Sequence, residues 1–335
     1  MTIPPQISTR LDAAIDIFDL YELDGSMSWA LVIKQRFLWD DRGGIERTVS
    51  TKVNAVDVPW DDGISTKEPG DVYLRKPGVD VVVAGTAVAR TPSTQIDVHV
   101  SVGDVEKSLV VFGPRVWYRG AAGIVPSPPA QLERLELMWE HAYGGLDDKD
   151  PEHALEEPRN PFGTGVAYDP ASLDQLPVPQ IEDPRDLIRS ARTRPAPANV
   201  GALGPSFAPR RGYGGTRDQK WQDERMPLQP LDFDERFNLV AHPELVSRTI
   251  RGGEQVRLLN IGQPGPTEFK LPRTVYQVDA RTDAATLAFR PVLDTVVLLP
   301  DDRYVDMVHR IAIPIRRGAQ RVREILVYEK RVIGA

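Results

Sequence analysis

Cysteine is absent from all 335 residues. That excludes disulfide scaffolds, thiolate zinc sites, iron–sulfur clusters and thiol-nucleophile mechanisms. Long apolar runs are missing as well. None approaches the roughly 20 residues that cross a bilayer, and the first twenty positions carry Arg10, Asp12, Asp16 and Asp19 among the hydrophobics. Neither a membrane span nor a signal peptide is read there, so a cytoplasmic protein with no membrane partner is expected. Positive charge is not in excess: 41 Lys and Arg stand against 48 Asp and Glu, a net charge of −7. Nucleic acid is therefore not an expected partner, since binding to its backbone rests on clustered cations.

What is present reads as β-structure. Positions 29–33 lead into Phe37, Leu38 and Trp39, and a β-branched run at 79–85 suits a buried strand. In 94–103, Ile96, Val98, Val100 and Val102 alternate with Gln95, Asp97, His99 and Ser101, the period of a sheet with one wet face. Positions 109–112 are its expected partner across the Gly103-Asp104 turn, making a hairpin. Positions 132–143 fit a helix face or a strand, and we favour the strand. Further strands are predicted at 256–261, 274–278, 295–299, 304–313 and 325–328.

Thirteen of the 30 prolines fall between Pro151 and Pro230. Proline neither donates to a ladder nor sits inside a helix, so irregular structure is predicted there. One short helix is expected, over 183–192, with Asp183 as N-cap and Pro184 in the first turn. Phe162, Tyr168, Phe207, Tyr213 and Trp221 are aromatics that a solvated tether would not need. The fold expected is mainly β, with sandwich-like antiparallel sheets, a long ordered proline-rich meander and few short helices. It divides into an N-terminal β-rich portion (1–145), the meander (146–230) and a C-terminal β-rich portion (231–335), which together can form one compact unit.

Motifs for chemistry are sparse. The glycines at 201–204 and 212–215 form neither a Walker loop nor a dinucleotide fingerprint. Five histidines show no metal-ligand spacing: Asp97 and His99 share a polar strand face, and Glu140 and His141 would point apart on a strand. No GxSxG elbow occurs. The run 209–213 is too short to form a basic groove. Asp232, Asp234 and Glu235 could hold an acid/base pair or a divalent metal for hydrolysis, although Arg236 makes a salt-bridged turn an equal account. No cofactor is expected.

The short motifs that are present form a recognisable series. It runs through 70–81 (GDVYLRKPGVDV), 111–117 (VFGPRVW), 140–145 (EHAYGG), 160–165 (NPFGTG), then Gly204-Pro205, Pro209-Arg210, Gly215-Thr216-Arg217-Asp218, Trp221 and the block 226–238 (MPLQPLDFDERFN). It closes with Gly252-Gly253-Glu254, 269–272 (FKLP) and 293–296 (LDTV). Over roughly 25–310 this series resembles the uncharacterised-domain family found with type VI secretion systems, whose genes sit near those for the VgrG spike, the PAAR tip and toxic effectors. It departs from the family at Arg217 in place of a turn Tyr, at Phe237 in place of a paired Phe-Phe, and at His309-Arg310 in place of Trp-Arg.

The resemblance implies an adaptor or chaperone that binds an effector and helps load it onto the VgrG–PAAR spike, and not an enzyme. The family carries no assigned catalytic residues. For partner contact the candidates are Arg210, Trp221, Phe233, Arg236 and Phe237, because interface cores favour Trp, Phe and Arg. Aromatics set among prolines also pin loops to their own core. Two other readings are kept beside the adaptor: a metal-dependent hydrolase using Asp232, Asp234 or Glu235, and a structural component of the spike itself.

Overall fold

Every residue of the strand Val79–Val83 is buried, because the strand lies inside a sheet covered on both faces. The computed structural model describes residues 5–48, 52–121, 123–316 and 321–330. Its largest sheet runs Val246–Ser247, Val79–Val83, Val292–Leu299, Tyr304–Pro314, Met27–Trp39, Ala14–Tyr21, with Ile45–Arg47 paired to the far end of Met27–Trp39. Val79–Val83 and Val292–Leu299 are parallel, and the other pairings are antiparallel. Strands from near both ends of the chain thus lie together in one sheet.

The predicted hairpin forms from Gln95–Val102 and Val105–Phe112, with Val102 opposite Val105 and Gly103 at φ +58° in the turn. It anchors a five-stranded antiparallel sheet with Ile181–Glu182, Gln255–Leu259 and Pro266–Lys270. A third sheet joins Gln6–Thr9, Val322–Glu329, Tyr276–Thr282 and Thr286–Phe289.

Alternation along Met27–Trp39 explains how two core clusters form on one face of the large sheet. Trp29, Leu31, Ile33, Phe37 and Trp39 occupy odd positions and so point to one face. The first three pack with Val278, Ile325 and Val327 of the four-stranded sheet. Phe37 and Trp39 join Val98, Val100, Val256 and Leu258 of the five-stranded sheet, where Trp39 stacks on Phe269 at 4.5 Å. Two smaller sheets therefore lie side by side on one face of the large one, a mainly β, sandwich-like arrangement as the sequence suggested.

The opposite face is charged and buried. Lys34 meets Asp71 at 3.1 Å and Asp306 at 3.9 Å, Arg36 meets Asp306 at 2.7 Å, Lys76 meets Asp80 at 2.7 Å, and Arg310 meets Asp294 at 2.6 Å. Four cations thus balance four carboxylates. The strip 70–78 covers them: Arg310 also donates to the carbonyls of Asp71 and Tyr73, and Asp80 accepts from the backbone N–H groups of Val240 and Ala241. Burial opposes the ionisation of Asp294, but Arg310 and Lys76 outweigh it and hold the carboxyl below its usual range. The motifs 70–81 and 293–296, and the departure at His309-Arg310, all fall in or beside this network.

The meander is ordered, with the short helices Arg210–Tyr213 and Gln219–Glu224. The helix predicted over 183–192 does not form. Asp183 does cap a single turn, accepting from the N–H of Arg185. Beyond it the N–H of Ile188 is taken by the Glu182 carboxylate and that of Ala191 by the carbonyl of Ile124, so no i→i−4 ladder can start. The strand predicted over 132–143 stops at Glu136 and gives way to the turn Trp139–His141. Among the described residues no helix is long and apolar enough to cross a membrane.

Candidate functional site: a groove at the open edge of the large sheet

Ala14–Tyr21 is the outermost strand of the large sheet, and Met27–Trp39 is its one described neighbour. A tight turn follows at 22–26, where Glu22 and Ser26 pair through the backbone and Asp24 accepts from the N–H of Ser26. Beside this turn lies a groove of about 360 Å³. Its walls come from three stretches far apart in sequence: 19–23, 72–75 and 227–238.

Local hydrogen bonding shapes the third wall. Asp234 accepts from the N–H of Arg236 and pairs with its guanidinium at 2.6 Å, starting the turn Glu235–Asn238. Asp232 accepts from both the N–H and the hydroxyl of Thr216, which ties 216 to 232. These contacts hold both carboxyls below their usual range, Asp232 chiefly through the Thr216 N–H and Asp234 chiefly through Arg236. Phe233 and Phe237 meet edge to face at 5.9 Å.

Arg75 joins the walls to one another. Its guanidinium donates to both oxygens of Glu22 at 2.8 Å and reaches Glu235 at 3.4 Å. Its carbonyl accepts from the Asn238 side chain at 2.8 Å. The same guanidinium holds the Glu22 carboxyl below its ordinary range. Two carboxylates thus share one cation at the mouth of the groove. Around the rim, Tyr21 and Leu23 are 40% and 44% exposed, and Met226 and Leu231 stand out further in the neighbouring loop at 65% and 75%.

Of the five residues proposed for partner contact, Phe233 and Phe237 line the groove. Arg210 is buried behind it and donates to the carbonyls of Leu203 and Phe237 and to the Tyr73 hydroxyl at 3.1 Å. Its guanidinium lies 5.1 Å from the centre of the Phe237 ring. Arg236 is exposed beside the groove and lies over the Tyr213 ring at 4.2 Å. Trp221 is half-buried, its indole N–H donating to the carbonyl of Leu228 at 2.9 Å, and so supports the loop that leads into the third wall. Arg75 lies within the motif 70–81 but was not proposed for contact, and Tyr21 and Leu23 fall in none of the motifs. The groove depends on contacts across about fifty to two hundred positions, which no local pattern shows.

Asp232, Asp234 and Glu235 do not converge on one point, since each serves a separate turn or ion pair. Among the described residues no group of three or more His, Asp or Glu side chains is placed to hold a metal ion. The motifs 140–145 and 160–165 lie elsewhere and serve packing. Tyr143–Asp147 pairs with Thr164–Gly165 around the buried Asn160, whose amide donates to the carbonyls of Trp139 and Tyr143.

Fold and groove together define a mainly β protein with three large sheets, in which the stretch 227–238 closes a groove against the outermost described strand of the largest. Residues 24–310 match the family DUF2169, described as an uncharacterized protein conserved in bacteria, and the chain belongs to that family. No curated protein and no solved structure matches the chain. Two walls of the groove, 72–75 and 227–238, lie inside the matched span, and the edge strand Ala14–Tyr21 precedes it.

Proposed function

We propose that this protein is a cytoplasmic adaptor that binds a toxic effector and helps load it onto the VgrG–PAAR spike of a type VI secretion system. The observation that supports binding is the groove. The turns that carry its phenylalanines are held by hydrogen bonds through Asp232, Asp234 and Asn238, and its mouth carries a shared ion pair. Protein interfaces concentrate aromatic and arginine side chains in this way, and rigid walls lower the entropy lost on docking. A volume of about 360 Å³ suits a few side chains of a partner segment. The secretion context rests on the resemblance of the motif series.

The test is co-purification of the full chain with the effector or PAAR protein encoded beside it, before and after Phe233→Asp. Placing a charge in the groove should reduce recovered partner at least about tenfold if Phe233 is an anchor of the contact, with the circular dichroism spectrum unchanged. A clean deletion of the gene should leave the effector inside the cell. Normal effector secretion after that deletion overturns the proposal.

A further inference from the structure

Between Arg10 and Lys34 the chain carries Asp12, Asp16, Asp19, Glu22 and Asp24 and no basic residue. This stretch builds the open edge strand Ala14–Tyr21 and the turn after it. An edge strand presents backbone donors and acceptors to any strand that can lie alongside it. Asp16 is exposed, with one carboxylate oxygen accepting from the N–H of Ile17. A second copy of this chain would bring the same carboxylates against these, and like charges across a strand pair are unfavourable. The edge therefore rejects itself and suits a segment of opposite charge.

The groove adds a second requirement. Glu22 and Glu235 share Arg75, which leaves one carboxylate charge in excess at its mouth. Tyr21 and Phe233 line the same space and offer apolar surface. Arg225 donates to the carbonyls of Leu23 and Gln229 behind the rim, so its charge is turned toward the loop backbone.

We propose that edge and groove form one docking site for an extended segment of a partner protein, added as a further strand along Ala14–Tyr21. An apolar side chain of that segment sits between Tyr21 and Phe233, and its Lys or Arg side chains face Asp16, Glu22 and Glu235. Strand side chains alternate between faces, so the segment recognised is about six to eight residues long with basic and apolar positions in alternation. That the partner is an effector or a spike component rests on the adaptor reading, whereas the chemistry of the segment does not.

The test uses the full chain and fluorescent peptides of about eight residues: an alternating Lys/Val peptide, its Glu/Val counterpart, and the Lys/Val peptide with a central proline. The Lys/Val peptide should bind saturably and more weakly at high salt, and slow amide exchange in 14–21. The Glu/Val peptide should not bind, and the proline peptide should bind at least about tenfold more weakly, since it lacks a ladder donor. Asp16→Lys should weaken binding about three- to tenfold through lost charge complementarity, while Asp148→Lys, at an exposed site outside the edge strand and the groove lining, should leave it unchanged. The proposal is overturned by any of these results: no saturable binding of the Lys/Val peptide, equal binding of the proline peptide, indifference to Asp16→Lys, or self-association of the chain that protects 14–21. If the effector co-purifies equally with wild type and Asp16→Lys, the adaptor reading survives and strand addition falls. If the peptide binds as described but no effector complex forms, strand addition stands and the adaptor reading falls.

Discussion

Arg310 shows what a single buried charge can organise. It is 1% exposed, pairs with Asp294 and donates to two carbonyls of the covering strip. Buried ion pairs add little over well-packed apolar residues, yet removing one partner strands the other in a dry site. Arg310→Met should therefore cost about 3–5 kcal/mol in urea unfolding, and adding Asp294→Leu to that variant should return part of the loss. His309, its neighbour in sequence, reports on pH instead. Burial pushes its pKa from 6.5 down to about 4, against the opposing pull of Asp294, and its Nε2 lies 3.2 Å from the Thr274 hydroxyl. The unfolded chain binds the proton more readily than the folded one. The stability linked to His309 is thus fully present above about 6.5 and is lost as pH falls toward about 4, at about 1.4 kcal/mol per pH unit. His242, pushed down to about 4 mainly by its own burial, acts in the same window. His309→Phe should flatten the stability slope between these limits by about 1.4 kcal/mol per pH unit; an unchanged slope would show that His309 already titrates normally when folded.

At the scale of elements, the hairpin from Gln95 to Phe112 was legible because alternation and a Gly-Asp turn specify the same register. The helix expected over 183–192 had a cap and a proline in the right places. It failed because Glu182 and the carbonyl of Ile124 claim the N–H groups its ladder needed. Capping residues describe a local option, and tertiary partners decide whether it is used. The groove wall makes the same point from the other side. The sequence offers Arg210 for partner contact, yet its guanidinium is buried and holds Leu203, Phe237 and Tyr73 together. Arg210→Lys keeps the charge but loses the fork that reaches three acceptors. It should cost about 2–4 kcal/mol and speed amide exchange around 235–239. Gly145, at φ +99°, marks the crossing of the two glycine motifs, and a Cβ there would press into the carbonyl of Gly163. Gly145→Ala should destabilise by at least about 2 kcal/mol, measured by thermal or urea unfolding.

At the scale of the whole molecule, chain order and spatial order differ. Met27–Trp39 pairs along eleven positions with Tyr304–Pro314, so the middle of the large sheet is completed only when the last portion of the chain arrives. A fragment of residues 1–230 lacks both central strands and should show no cooperative unfolding transition, whereas the full chain should unfold with one. A stable, cooperatively folded fragment would mean that the N-terminal portion carries a core of its own.

The amino-acid sequence by itself determined the β character, through period-two alternation and β-branched runs. Through its prolines it also determined that the centre of the chain would be irregular, and through its aromatics that this centre would be ordered. It offered Phe233 and Phe237 for contact, because interface cores favour Phe and both stand in the motif block 226–238. Only the tertiary structure decided that the strip 70–78 covers a balanced set of buried charges, that Arg75 links Glu22 to Glu235, the latter 160 positions from Arg75, and that Ala14–Tyr21 is, among the described residues, an open edge beside the groove. The physical reason is separation along the chain. Alternation and turn chemistry act over a few residues and can be read locally. Which charges meet, which edge stays unpaired and which walls enclose a space depend on contacts made when distant segments pack.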